Sequence, residues 1–187
     1  MTGVPVEPSP FTTVEVADLL DAGFLSIQRR TLETPTGARV ERYVVVHPGA
    51  VAIVPIDGED VVLIEQYRAP IDATVLEIPA GKLDDPSHDR GDTARRELEE
   101  ETGLIASELT LLTDLWTGVG FTDECISIYL AEGLTAGVRT PVGAEEEAAT
   151  IVRMPFTEAV EAVVSGRITD AKSVAGILLA AARRDAP

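Results

Sequence analysis

The chain has 187 residues, 45% of them hydrophobic, which is enough for one full globular domain with a small appendage. Its 32 acidic and 15 basic residues give a net charge of −17. This charge argues against nucleic acids and anionic membranes as partners, because both attract basic surfaces. Cys125 is the only cysteine, so an intrachain disulfide is excluded.

The composition of both ends argues against a targeting or membrane segment. The first ten residues, MTGVPVEPSP, lack the apolar core of a signal peptide. The apolar stretch 174–182 is too short to cross a bilayer. A single cysteine fits a reducing environment. These features predict a soluble, cytoplasmic protein.

The first 48 residues are predicted to form an extension ahead of the main domain. Residues 24–47 are predicted to form two strands, joined by a turn at Pro35-Thr36-Gly37. A two-stranded ribbon is marginal in water by itself. Residues 1–48 must therefore pack on the main domain, residues 49–187, or on a second subunit.

Residues 49–187 show the mixture of strands and helices expected of an α+β domain. Two apolar runs, 51–56 and 61–64, are joined by Asp57-Gly58, which is a strong hairpin signal. Further strands are predicted at 75–78, 111–116, 126–131 and 150–154. Helices are predicted at 92–102, at 157–164 with Thr157 as N-cap, and from Asp170 or Ser173 to Arg184. The pattern predicts a mixed sheet flanked by helices.

The predicted helix 92–102 carries a concentration of acidic residues. At helical spacing, Glu97, Glu100 and Glu101 lie on one face, where like charges repel and weaken the helix. Such a face either contacts open water, as charged runs usually do, or binds a cation. Hard divalent ions such as Mg²⁺ take oxygen ligands of this type. Arg96 precedes Glu100 by four residues, which is the spacing of an ion pair within a helix.

The residues of this helix and the preceding loop resemble the Nudix box, G-x5-E-x7-R-E-U-x-E-E-x-G-U, where U is aliphatic. The second half matches at Arg96, Glu97, Leu98, Glu100, Glu101, Gly103 and Leu104. The first half departs from the pattern. Gly81 lies one residue too far upstream, and His88 occupies the position of the loop glutamate, so that Asp85 or Asp89 would have to replace it.

Stretches outside the box make the chain similar to the ADP-ribose pyrophosphatase branch of the Nudix hydrolases. These stretches are residues 42–49, 66–68, 77–81, 120–124 and 170–173. The resemblance implies a Nudix-type α/β/α sandwich with a mixed β-sheet, and an N-terminal β-extension through which two chains form a homodimer. Val119 departs from the resemblance, because this branch typically has a proline there that is linked to preference for ADP-ribose.

The same resemblance implies a metal site. The cofactor would be Mg²⁺, or alternatively Mn²⁺, and its ligands would be Glu97, Glu101 and the carbonyl oxygen of Ala80, with Glu100 assisting. Arg96 would hold Glu100 and so set the geometry of its carboxylate.

Residues outside the helix would bind the substrate and activate water. The resemblance assigns substrate contacts to Arg42, Arg68 and Glu77, and a guanidinium fork suits phosphate oxygens. It assigns a general base to the acidic loop near residue 146, where Glu146 and Glu147 are both candidates.

The predicted activity is Mg²⁺-dependent hydrolysis of the diphosphate bond of ADP-ribose, a small-molecule nucleoside diphosphate, to AMP and ribose 5-phosphate. One alternative keeps the chemistry and changes the substrate to another nucleotide sugar, a dinucleotide or a coenzyme diphosphate. A second alternative is a non-catalytic sensor of ADP-ribose or NAD-derived ligands. The carboxylates at 97, 100 and 101 argue against a pure binder, which has no need of their mutual repulsion.

Overall fold

A three-stranded antiparallel sheet forms the N-terminal part of the molecule in the computed structural model, which describes residues 9–83 and 89–184. Its strands are β1 (Thr12–Asp21), β2 (Ser26–Glu33) and β3 (Arg39–Val46), in the order β1-β2-β3. The predicted hairpin of two strands is present as β2 and β3. The prediction of a two-stranded extension was wrong, because β1 adds a third strand whose residues are nearly all exposed and show no buried apolar run.

The main domain is built on a seven-stranded mixed sheet. Its strands are β4 (Ala50–Asp57), β5 (Asp60–Arg68), β6 (Ala73–Glu77), β7 (Ala80–Lys82), β8 (Leu104–Trp116), β9 (Cys125–Ala136) and β10 (Thr150–Pro155). Five of them follow the order β10-β5-β4-β9-β8, while β6 pairs with β5 and β7 pairs with β4. The pairing of β4 with β9 is parallel, and the other pairings are antiparallel.

Helices cover both faces of this sheet. They are α1 (Arg90–Thr102), α2 (Ala144–Ala148), α3 (Phe156–Val164) and α4 (Ala171–Arg184). In β4, Val51 and Ile53 pack with Leu98 of α1, whereas Val54 packs on the opposite face with Ile177 of α4. Successive residues of a strand point to opposite faces, so a strand between two helical layers is apolar throughout. The predicted α+β class and α/β/α sandwich are confirmed.

The sheet opens between β4 and β5, and this opening positions the site described below. The two strands pair only next to their turn, where Ile56 lies opposite Val61 and Asp57 opposite Asp60. Beyond that point the chain from β6 to β7 crosses the gap, and the Ile53 N–H donates to the Pro79 carbonyl oxygen at 2.9 Å. The crossing segment 78–80 therefore lies in the middle of the sheet.

Two predicted helix starts need correction, and strands β5, β8 and β9 are longer than predicted. Helix α1 begins at Arg90 rather than 92, because the Asp89 carboxylate accepts hydrogen bonds from the Gly91 and Asp92 N–H groups and so caps the helix. Helix α3 begins at Phe156, with Pro155 at the N-cap position and no side-chain capping bond. Thr157 therefore lies inside the first turn and is not the N-cap.

Three further features of the structure bear on the predictions. Helix α1 ends at Gly103 in the left-handed conformation, with φ 70°, as predicted. The acidic loop near residue 146 contains the short helix α2, which was not predicted. Within residues 9–83 and 89–184, no helix is both long and apolar enough to cross a membrane.

Candidate active site

Two glutamates of α1 project toward the crossing segment and are buried there. The Glu101 carboxylate, in a residue only 3% exposed, accepts a hydrogen bond from the Ala80 N–H at 2.8 Å. The Glu97 carboxylate lies against Gly81, where an added Cβ would be 2.0 Å from its carboxyl carbon. Because glycine has no Cβ, Gly81 leaves the space that this carboxylate occupies. The structure thus brings Glu97, Glu101 and Ala80 together.

The electrostatics of this pair are unfavourable without a bound cation. Burial raises the pKa of Glu97 to about 7, against the opposing charge of Arg96, and the charges of Glu100 and Glu146 raise it further. Burial also raises the pKa of Glu101 to about 8, against the hydrogen bond from Ala80, with Glu146 and Glu97 adding to the increase. Near neutral pH the two carboxyl groups therefore retain protons that ordinary glutamates have lost.

Arg96 links the carboxylates of the helix. Its guanidinium donates to Glu100 at 2.6 Å, at the four-residue spacing read from the sequence, and to Glu97 at 2.7 Å. The helix surface next to Ala80 therefore carries three carboxylates and one guanidinium. Arg96 holds two of the carboxylates in a defined orientation.

The donor set fits a hard divalent cation, although the carboxylates are not gathered around one point. In the part of the chain that the structure describes, no three His, Cys, Asp or Glu side chains converge as a metal cluster. Glu97 and Glu101 instead bond to Arg96 and to the Ala80 N–H. Carboxylates and a backbone carbonyl are nevertheless the ligands that Mg²⁺ and Mn²⁺ prefer. A cation there would also offset the burial and the neighbouring negative charges that together raise both pKa values.

Arg68 and the buried Glu77 form a partly exposed ion pair beside this site. Nε and Nη2 of Arg68 each donate to one carboxylate oxygen of Glu77 at 2.7 Å. Glu77 is 2% exposed and also accepts a hydrogen bond from Lys172. Both oxygens of Glu77 are thus engaged by protein cations. Arg68 remains about two-fifths exposed in its side chain and faces the site from the end of β5.

Sequence reasoning assigned no role to the start of α4, which completes this network. Lys172 donates to Asp170 at 2.8 Å as well as to Glu77. The Ser173 hydroxyl donates to Asp170 and accepts from the Ile78 N–H at 2.9 Å. Helix α4 therefore anchors the segment that leads to Ala80. The available signal was a single lysine in the first turn of an otherwise apolar helix.

The structure distinguishes between the two loop glutamates that the sequence left open. The Glu146 carboxylate turns inward, accepts from the Val142 N–H at 2.6 Å, and has a charge that raises the pKa of both Glu97 and Glu101. Glu147 is exposed, and its N–H bonds to the Gly143 carbonyl oxygen. Glu146 is therefore the loop glutamate that lies near the α1 carboxylates.

Arg42 lies on the exposed strand β3, outside this group of residues. Its guanidinium donates to the carbonyl oxygen of the neighbouring Glu41 at 2.7 Å. It lines an open cavity of about 480 Å³ between the N-terminal sheet and the loop that contains Val119 and Phe121. Val119, at the position where the branch has proline, is 81% exposed.

Of the residue at the position of the loop glutamate and its two proposed replacements, the structure describes only one. His88 and Asp85 lie outside the described residues. Asp89 is engaged as the N-cap of α1, where its Oδ1 accepts from Gly91 and Asp92.

The chain is similar to known proteins in both sequence and fold. Residues 46–175 match the family model described as NUDIX domain. A methanol dehydrogenase activator of Bacillus methanolicus is 36% identical over 166 residues, which cover 88% of this chain and 89% of that protein. An ADP-ribose pyrophosphatase of Mycobacterium tuberculosis (strain ATCC 25618 / H37Rv) is 38% identical over 169 residues, which cover 90% and 82%.

A solved structure agrees on the fold. The crystal structure of an ADP compounds hydrolase superposes with a TM-score of 0.81 and covers 96% of each chain at 23% identity. The chain belongs to the NUDIX domain family, as the resemblance of its helix α1 predicted.

Proposed function

We propose that this protein is a hydrolase of the diphosphate bond of ADP-ribose, which with water gives AMP and ribose 5-phosphate. The observation that carries the proposal is the burial of Glu97 and Glu101 together against Ala80 and Gly81. Buried carboxylates are costly unless a positive charge is present. A site that retains them is therefore expected to use them for binding a cation.

Glu97, Glu101 and the Ala80 carbonyl oxygen would hold Mg²⁺, or alternatively Mn²⁺, with Glu100 assisting. The bound ion would supply neutralisation of the diphosphate charge and a lowered pKa for the attacking water. Arg96 orients Glu100 and Glu97 through its two hydrogen bonds. The Ala80 N–H orients Glu101.

Glu146 is the proposed general base. Its carboxylate is close enough to Glu97 and Glu101 to perturb both pKa values, and it lies on a short segment that movement could bring nearer to a substrate. It would accept the proton of the attacking water. Glu147 would have no part in this step.

Arg68 is the proposed phosphate contact, and Glu77 sets its orientation. The bidentate ion pair fixes the plane of the guanidinium, while the exposed part of the Arg68 side chain remains able to meet a ligand. A local cation of this kind is needed because the net charge of −17 repels a free anionic substrate. Arg42 would contact a more distant part of the substrate.

The name of the Mycobacterium tuberculosis relative supports ADP-ribose as the first substrate to test. The Bacillus methanolicus relative is named for its effect on a dehydrogenase, so a panel of other nucleoside diphosphate compounds should follow. The family resemblance and the low cysteine count support a cytoplasmic location.

We also propose that the protein is a homodimer formed through residues 1–48, with residues 49–187 as the hydrolase domain. Strand β1, the residue before it and the turn after it expose apolar side chains that one chain alone leaves uncovered. These residues, each close to half exposed, are Phe11, Val14, Val16, Leu19, Leu20 and Phe24. Exposed apolar patches of this kind mark interaction surfaces. Light scattering of the purified protein would give about twice the 19.9 kDa chain mass.

The test of the activity is product analysis after incubation with ADP-ribose, once with Mg²⁺ and once with EDTA. AMP and ribose 5-phosphate are expected only with Mg²⁺. Product in EDTA would refute the metal site. If no product forms with Mg²⁺ but calorimetry shows that ADP-ribose binds, the protein is a sensor and not a hydrolase.

A further inference from the structure

Arg139 connects the last turn of α1 to the loop that contains Glu146. Its Nε donates to the Glu101 carbonyl oxygen at 2.8 Å, and its Nη2 donates to the Glu146 carbonyl oxygen at 2.5 Å and to that of Ala149 at 3.3 Å. One guanidinium thus bonds to the backbone of a proposed metal ligand and to the backbone of the proposed base.

The chain around Arg139 runs along the same end of the helix. The Gly137 N–H donates to the Gly103 carbonyl oxygen at 2.8 Å, and the Thr140 N–H donates to the Glu100 carbonyl oxygen at 3.0 Å. Carbonyl groups at the end of a helix have no partner within the helix. Segment 137–140 supplies those partners, so its position is tied to that of Glu100 and Glu101.

The helix of the loop is short and exposed, although it also lies near β5. Helix α2 has five residues, none of them buried, and its N-cap, Gly143, makes no side-chain capping bond. The Glu146 carboxylate accepts from the Val142 N–H, which shapes the loop but does not attach it to α1. The hydrogen bonds of the Arg139 guanidinium make that attachment, and arginine suits it because its planar fork can serve several carbonyl groups at once.

We propose that Arg139 is a positioning residue that holds the Glu146 loop against the end of α1, so that the Glu146 carboxylate faces those of Glu97 and Glu101. The inference rests on the proposed function in one respect, namely that Glu146 acts as the base. A displaced base slows the chemical step more than it weakens binding of the ground state, because misplacement by about 1 Å can cost roughly 10²-fold in rate.

The test compares Arg139→Gln with Arg95→Gln in the full-length protein. Arg95 is a matched control, since it also donates to a backbone carbonyl oxygen, that of Ala106 at 2.7 Å, but does not contact the loop. We expect Arg139→Gln to lower kcat roughly 10-fold to 100-fold with KM changed by less than about threefold. Arg95→Gln should stay within about twofold of wild type in both constants.

A second comparison separates positioning from general destabilisation. In a Glu146→Gln background, adding Arg139→Gln should lower kcat by no more than about twofold, because the group that Arg139 positions is already disabled. A full 10-fold to 100-fold further loss in that background would overturn the proposal. So would a kcat for Arg139→Gln within twofold of wild type.

Hydrogen exchange without substrate or metal gives a readout that does not depend on activity. The Glu147 and Ala149 N–H groups bond within the loop, and they should exchange faster in Arg139→Gln than in wild type or Arg95→Gln. Unchanged exchange would overturn the proposal even if wild type is active. If wild type hydrolyses nothing, the proposed function fails, and faster exchange in Arg139→Gln would still support the positioning role. Should Arg139→Gln not fold, Arg139→Lys, which keeps one cationic donor, replaces it. The same changes in kcat and in hydrogen exchange are then expected, each of them smaller.

Discussion

Two pairs of carboxyl groups, Glu77–Asp170 and Glu97–Glu101, lie close to the segment 78–80, and they differ in the charges around them. Glu77 is 2% exposed and Glu101 is 3% exposed. Glu77 bonds to Arg68 and Lys172, and Lys172 also bonds to Asp170, so this pair has two cations. Among the described residues, the Glu97–Glu101 pair bonds to the cation of Arg96, which it shares with Glu100.

The pKa values express this difference. Burial acts to raise the pKa of Asp170, but the charge of Lys172 and the hydrogen bonds from Lys172 and Ser173 outweigh it, so the pKa lies below the usual range. Burial raises the pKa of Glu101 to about 8 because less positive charge opposes it. Burial by itself therefore does not decide what a carboxyl group does. The balanced pair supports the structure, and the unbalanced pair is suited to bind a cation.

The strongest test of this contrast removes the carboxylates of Glu97 and Glu101, one at a time. Glu101→Gln and Glu97→Gln should each lower turnover by roughly 10²–10³-fold, because charge stabilisation in the transition state is lost. The melting temperature in EDTA above about pH 8, where both groups are charged, should not fall, since a buried charge without a full partner has been removed. Steady-state kinetics and calorimetry measure the two effects.

Asp92→Asn is the control for these variants, because Asp92 is an exposed acidic residue in the first turn of the same helix. It should keep wild-type turnover. Wild-type turnover in both glutamate variants would refute the metal-site assignment.

The loop offers the next largest effect. Glu146→Gln should lower kcat roughly 10²-fold or more, because a positioned general base contributes at least this factor. Glu147→Gln should stay within about twofold of wild type, since that side chain is exposed. The two variants carry the same substitution at adjacent positions, so a comparison of their kinetics decides between Glu146 and Glu147. Equal loss in both variants would contradict the selection of Glu146.

Changing the charges around Glu77 and Asp170 should instead alter the stability of the fold. Lys172→Met leaves the buried Glu77 and the partly buried Asp170 without their shared cation, and breaking a buried ion pair in this way costs about 3–5 kcal/mol. Thermal unfolding should show a fall of roughly 10 °C for a chain of this size. Lys82→Met is the control, because Lys82 is the only other lysine and lies at the surface over Phe24. An equal fall in both variants would mean that Lys172 has no special structural role.

The smallest expected effect is a pH dependence of stability. The pKa values of Glu97 and Glu101 in the folded protein, about 7 and about 8, exceed the ordinary value of 4.5. Between these values the unfolded chain has released protons that the folded chain keeps. The free energy of unfolding without metal should therefore fall as pH rises from about 4.5 to about 8.

Mg²⁺ should reverse this trend, because it replaces the protons on the two carboxylates. At saturating concentration it should raise the melting temperature by roughly 5 °C at pH 8 and by less at pH 5.5. The double variant Glu97→Gln/Glu101→Gln should lose both the pH dependence in this window and the response to Mg²⁺. A larger Mg²⁺ effect at pH 5.5 than at pH 8 would contradict the proposed ligands.

Local signals in the sequence were sufficient for much of the fold. Asp57-Gly58 predicted the turn between β4 and β5, and Gly103 predicted the end of α1. Both depend on backbone conformations that few residues adopt, so the residue type is informative by itself. Strand β1 was missed because its apolar side chains remain largely exposed, and periodicity predicts a strand best where one face is buried.

The sequence by itself determined which chemistry the site can perform. The spacing of Glu97, Glu100 and Glu101 on one helix face, with Arg96 four residues before Glu100, follows from helix geometry and needs no tertiary information. The tertiary structure decided which other groups meet this face. Ala80 bonds to Glu101 across 21 positions of sequence, and Lys172 reaches Glu77 across 95. The inward turn of Glu146 likewise depends on the path of the chain from β9 to α2. Such contacts arise from the packing of whole elements, which short-range patterns do not encode.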